Sequence, residues 1–118
     1  MTTPSDHNAE VVPCPERTPD AVRVALARIA PHRLAELEQH KEKALAAAIR
    51  SGKVGHLTHW LDWWMREVEI ERRPDLFTRR NDALATIHRT TSKDDPGFRP
   101  AMDELSAVEA EAAQAVNE

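Results

Sequence analysis

The chain has no tyrosine, two phenylalanines, three glycines and one cysteine among 118 residues. Each shortage removes a class of structure or chemistry. Cys14 stands alone in Pro13-Cys14-Pro15, so an intrachain disulfide and a cysteine-based metal site are ruled out. Gly52, Gly55 and Gly97 are scattered and cannot build a glycine-rich phosphate loop. Ser5, Ser51, Ser92 and Ser106 lack the neighbours of a nucleophile elbow. β-branched residues never alternate, which leaves no strand pattern. No apolar run approaches the roughly 18 residues of a membrane-spanning helix. The opening Met1-Thr2-Thr3-Pro4-Ser5-Asp6 lacks the basic and apolar regions of a secretion signal. A soluble, cytoplasmic, all-α protein with no membrane partner is the expectation.

Charge is also scarce in net terms. The formal balance is -4, which argues against a general polyanion binder. It is unevenly spread. Residues 1–17 carry Asp6, Glu10, Glu16 and Arg17, net -2. Residues 101–118 carry Asp103, Glu104, Glu109, Glu111 and Glu118 with no Lys or Arg, net -5. The segment between them is therefore +3. Hydrophobic residues make up 41%, but 18 of them are alanine, which buries little area each. The core is sized for a small helical bundle, with little room for an internal ligand cavity.

What the chain does have is one dense apolar stretch, Leu57 to Val68, holding all three tryptophans. At about 100° per residue, Leu57, Trp60, Leu61, Trp64 and Val68 share one face. Met65 widens it. Trp63 sits roughly a third of a turn away, with Ile70 one heptad later on its side. The apolar arc exceeds the stripe of roughly 100° typical of a surface helix. Either this helix is covered on two sides, or it carries a core face and a separate partner face.

The other elements follow from local signals. Residues 1–17 read as a disordered tail with Pro4, Pro13 and Pro15. Thr18-Pro19-Asp20 is a helix start, and Ala30-Pro31 an end. Val22, Leu26 and Ile29 form that helix's inner stripe. A second helix spans about Pro31 to Arg50, lined by Leu34, Leu37, Leu45, Ala48 and Ile49, and stops at Ser51-Gly52. The tryptophan helix covers about His56 to Glu71. A fourth runs from Asp75 to about Thr90 on Phe77, Leu84 and Ile87. Asp94-Asp95-Pro96-Gly97 marks a linker. Residues 101–116 form a thin amphipathic helix that orders only against a partner or the body. The expected architecture is a bundle of four helices over residues 18–91, plus a loosely attached C-terminal helix within 92–118.

Candidate chemistry is thin. His56, His59 and Asp62 drift by about 60° per step on a helix, a poor fit to one metal ion. No metal and no cofactor are expected, and a remote enzymatic alternative would rest on His56 or His59. Glu67, Glu69 and Glu71 alternate and point apart, which reads as a solvated charged face. Arg72, Arg73, Arg79 and Arg80 head a segment, residues 72–93, of net charge +4. These arginines are candidates for phosphate contact, although no helix-turn-helix spacing is evident.

Arg17-Thr18-Pro19-Asp20-Ala21-Val22-Arg23-Val24-Ala25-Leu26 resembles the opening of a family of small actinobacterial helical proteins. Glu42-Lys43-Ala44-Leu45-Ala46-Ala47-Ala48 and the Leu- and Trp-rich Leu57 to Trp64 extend the resemblance over roughly residues 17–70. Arg72 to Glu118 is longer and more polar than the family pattern. Some members resemble antitoxin-side partners of small ribonuclease-like toxins. The resemblance implies a non-catalytic role against a protein partner, such as a small basic toxin, and assigns no catalytic residue.

The combined expectation is a protein–protein interaction module, not an enzyme, with antitoxin-like neutralisation as its narrower form. Homo-oligomerisation is left open. Trp63, Arg66 and Ile70 on the tryptophan helix, with Met102, Leu105 and Val108 on the C-terminal helix, are the expected partner contacts. The alternative is a nucleic-acid-binding regulator acting through Arg72, Arg73, Arg79 and Arg80.

Overall fold

Thr18 opens the first helix, α1 (Pro19–Ile29), in extended conformation, and its hydroxyl accepts from the Ala21 N–H at 3.1 Å. Pro19 fills the first turn, where its missing N–H costs nothing. The computed structural model describes residues 12–117, and no strand occurs among them. Ala30 leaves the helical region, and Pro31–Arg33 makes one 3-10 turn. Helix α2 (Leu34–Ser51) follows directly. Gly52 ends it at φ 72°, a left-handed conformation that only glycine adopts without strain. Lys53 and Val54 lead into α3 (Gly55–Arg72), antiparallel to α2. Arg73 is extended, and Pro74 begins α4 (Pro74–Arg89). Helix α5 (Phe98–Val116) starts three residues earlier than its apolar stripe suggests.

Helix α3 is the centre. Helices α1 and α2 pack on one side of it, and α4 and α5 on the other. Val22, Leu26, Leu37, Trp60, Trp64 and Val68 form the larger cluster. Ile70, Leu76, Val108 and Ala112 form the smaller one. Burial of each large side chain contributes roughly 1.5–3 kcal/mol. The wide apolar arc of α3 is thus explained for its second half, which is covered on both sides. Its first half lies against α2, and the end of this hairpin stands away from the body. The radius of gyration, 16.1 Å, exceeds the about 13 Å of a compact domain of this length.

Several expectations need correction. Ile70 and Val108 are fully buried in the same cluster, so neither is a surface anchor. Leu76 takes the inner position expected of Phe77, which is exposed. Leu45 and Ile49 line no core: Leu45 edges a surface groove with Pro19 and Leu57, and both side chains are exposed. Leu57 is only half-buried. The C-terminal helix is held more closely than its thin stripe suggests: Val108 and Ala112 are wholly buried. Of the tail, Val12 belongs to the larger cluster, and residues 1–11 lie outside the described residues.

The largest correction concerns charge. Glu67, Glu69 and Glu71 are not solvated. Arg33 Nη1 donates to Glu67 Oε1 and to Glu71 Oε2, both at 2.9 Å. Arg80 donates to the same two oxygens at 3.1 and 2.7 Å. The result is a closed ring of two guanidiniums and two carboxylates, with side chains 6–14% exposed. Glu69 points the other way, as the i, i+2 geometry requires, and pairs with Arg72 and Arg73. A buried pair broken on one side leaves an uncompensated charge, so Arg80→Met should cost about 3 kcal/mol or more. Arg23→Ala, which loses only an exposed 3.5 Å pair with Glu38, should cost under about 1 kcal/mol. Urea unfolding of the two variants checks the contrast, and equal costs would mean the ring is not desolvated.

Candidate interaction surface

The four arginines that form the basic candidate are each engaged by the protein's own carboxylates. Arg72 donates to both Glu69 oxygens at 2.8 and 3.3 Å and to the Val12 carbonyl at 3.3 Å. Arg73 holds Asp75 at 2.7 Å and Glu69 at 3.4 Å. Arg79 clasps α5, with Glu104 at 2.8 Å and Glu111 at 2.6 Å. Arg80 belongs to the buried ring. Arg17 adds a second tie to α5, donating to the Val116 carbonyl at 3.0 Å and to Asn117 at 2.9 Å while pairing with Asp62. The +4 segment is therefore largely neutralised by the fold.

The expected partner contacts scatter. Trp63 is half-buried at the edge of the larger cluster. Its ring meets His40 edge-on at 5.4 Å and Trp64 at 4.9 Å. Trp64 in turn lies under the Arg33 guanidinium, 5.0 Å from the ring centroid, so Trp63 is braced through Trp64 against the ionic ring. Arg66 is half-buried and makes no ion pair among the described residues. Leu105 is half-buried and shares with Trp63, Phe77 and Leu84 a groove of about 660 Å³ whose floor is the ring. Met102 is exposed on α5.

A second groove, about 570 Å³, is also lined by Trp63 and lies between α2 and α3 toward the hairpin end. Trp60, Trp63, Trp64 and Ala44 form its apolar floor. His40, Lys43, Lys53, His56 and His59 form its rim, with no carboxylate among the lining residues. Trp60 is fixed by donating from Nε1 to the Leu37 carbonyl at 3.3 Å. Trp64 Nε1 is buried without an acceptor. Ile49, 74% exposed, and Val54, 75% exposed, stand at the same hairpin end without lining this groove. Neither is covered by the described residues. His56 and His59 face this groove while Asp62 pairs with Arg17, so the three do not converge. No group of three metal-ligating side chains occurs among the described residues, and none of the described helices is long and apolar enough to cross a membrane.

The hairpin surface was not marked by any motif. Its signal is compositional. Within residues 40–59, Lys41, Lys43, Arg50 and Lys53 face only Glu42, net +3, so the rest of the chain carries -7. Comparison with protein-family models, with curated proteins and with solved structures found no match.

The ion pairs make stability pH-dependent. The Arg33 hydrogen bond pulls the Glu36 carboxyl below the usual carboxylate range, against the opposing effect of burial. Arg73 does the same to Asp75 and Arg79 to Glu104. For Arg33, burial opposes the charge, but its hydrogen bonds to Glu36 and Glu67 outweigh it and hold the guanidinium above its ordinary value. A carboxyl with a depressed folded pKa stabilises fully above its unfolded value, about 4.3 for Glu, and loses that contribution as pH falls through the folded value. The urea midpoint should hold from pH 7 to about 5 and drop toward pH 3. Glu36→Gln should flatten part of that drop, and an unchanged slope would deny Glu36 a share in it.

Proposed function

We propose that this chain is a non-catalytic protein–protein interaction module acting in the cytoplasm, with antitoxin-like neutralisation of a partner as the narrower form. In this reading the first four helices are the body, and α5 is a strap that neutralises its basic face. The observation that carries the reading is the uncovered apolar end of the α2–α3 hairpin. Ile49 and Val54 stand exposed there beside the exposed Leu45 and the half-buried Leu57. Large apolar side chains gathered on one projecting element favour contact with another macromolecule. Trp63, braced at the boundary between two grooves, is the pre-ordered aromatic that such a contact uses at its edge. Of the expected anchors, Trp63, Arg66, Met102 and Leu105 retain surface, and the two buried residues drop out.

The resemblance to antitoxin-side proteins fits a small, non-enzymatic, helical chain. A basic toxin would find the exposed Asp103 and Glu109 on α5. The nucleic-acid alternative has weaker support, because Arg72, Arg73, Arg79 and Arg80 would have to leave carboxylates to reach phosphates.

Two measurements test the reading. Random duplex DNA at low salt, where phosphate contacts are strongest, should not be retained. A tagged chain recovered from its own cells should bring a partner that the Ile49→Glu/Val54→Glu variant does not, at an unchanged melting midpoint. A partner set identical for both proteins would remove the hairpin end from the function.

A further inference from the structure

We propose that the groove between the second half of α2 and the first half of α3 receives an amphipathic helix with an acidic polar face, supplied by the partner protein. The proposal rests on the interaction reading above and names the chemistry of what binds.

The occupant's shape comes from what the hairpin lacks. Along its second half α3 is sandwiched between helices. Along its first half the start of α1 reaches Leu57 and Leu61 on one side, and on the groove side only α2 lines it among the described residues. A two-helix layer buries little, and a third helix laid into the groove would complete a three-helix unit. From His40 to Ser51 the open part of α2 is about 18 Å long at 1.5 Å per residue, the length of a helix of three to four turns. Its apolar anchors would meet Trp60, Trp63 and Ala44 on the floor.

The occupant's charge comes from the rim. Lys43 and Lys53 make no ion pair among the described residues, and the lining contains no carboxylate. The +3 hairpin end is the basic pole of a chain that is otherwise -7. Complementarity therefore selects an acidic partner face. It also disfavours a second copy joined hairpin to hairpin, because two such ends repel. The chain's own acidic helix is already held on the opposite side by Arg79 and Arg17. Nucleic acid is a poorer fit. Base stacking needs open aromatic faces, and Trp60 and Trp64 are 6% and 0% exposed.

The test uses the full chain and a fluorescent, capped helical peptide of about 14 residues, with Leu at i, i+3, i+4 and i+7 and Glu elsewhere. Peptides with Gln or Lys in place of Glu are the controls. The Glu peptide should bind in the micromolar range by anisotropy, tighter than the Gln peptide and far tighter than the Lys peptide. The preference should shrink as salt rises. Lys43→Glu/Lys53→Glu should weaken the Glu peptide at least about tenfold and improve the Lys peptide. Trp63→Ala should weaken all three, whereas Met102→Ala on α5 should change none. Equal affinity for the three peptides, or indifference to Lys43 and Lys53, would overturn the proposal. So would a stable dimer in sedimentation equilibrium that Lys43→Glu/Lys53→Glu abolishes, since the occupant would then be a second copy. If the peptide fails while a native partner is still lost on Ile49→Glu/Val54→Glu, the interaction reading stands and this groove's assignment alone falls.

Discussion

The ring formed by Arg33, Glu67, Arg80 and Glu71 is the constraint on which the rest of the fold depends. Its members come from the 3-10 turn before α2, from α3 and from α4. Two small apolar clusters on opposite sides of α3 would not by themselves fix how α1 and α2 stand relative to α4 and α5. The ring spans that gap. Glu67 and Glu71, one helical turn apart, present two carboxylates at one level, and each guanidinium reaches both. Such a ring is a weak source of net stability, because four charged groups must leave water. Its effect is geometric: an arrangement that separated the partners would leave a charge buried alone.

That arrangement redistributes charge over the whole molecule. The arginines of residues 72–80 are bound inward or to α5, and the acidic C-terminal helix is correspondingly committed to Arg79 and Arg17. Lys43 and Arg50 on α2 and Lys53 in the connector are among the cations that make no ion pair within the described residues. A chain that looks like a basic body between acidic ends has, once folded, much of that body's arginine charge paired with its own carboxylates. The sign of a segment's net charge says little about its surface when most of its arginines are paired.

The legible part of the sequence was local. Thr18-Pro19-Asp20 and Ser51-Gly52 mark helix ends by cap chemistry confined to a few residues, and the structure bears both out. The all-helical class followed from the missing strand pattern in the same way. What could not be read was set by pairs distant in sequence. Glu67 and Glu71 resemble a solvated face until Arg33, 34 and 38 residues away, is brought beside them. Ile70 and Val108 lie on stripes that fit a partner face or a core equally well, and only the docking of α5 on α3 decides between them. The exposed hairpin was hidden for the converse reason. Leu45 and Ile49 have the spacing of core positions, and periodicity cannot tell that no third helix arrives to cover them.

Trp63 shows how these two kinds of information meet. Its position about a third of a turn off the main stripe of α3 left open whether it was core or contact. The structure makes it the boundary between them. Toward the second half of α3 it leans on Trp64, which lies under Arg33 and so inherits the rigidity of the ring. Toward the first half it forms part of a floor left open by the described residues. A side chain in this position loses little freedom on contact, because its rotamer is already held from behind by His40 and Trp64. Contact there costs less entropy than ordering a free surface tryptophan would. The ring that aligns the two halves of the molecule thereby also pre-organises the one aromatic at the edge of its open end.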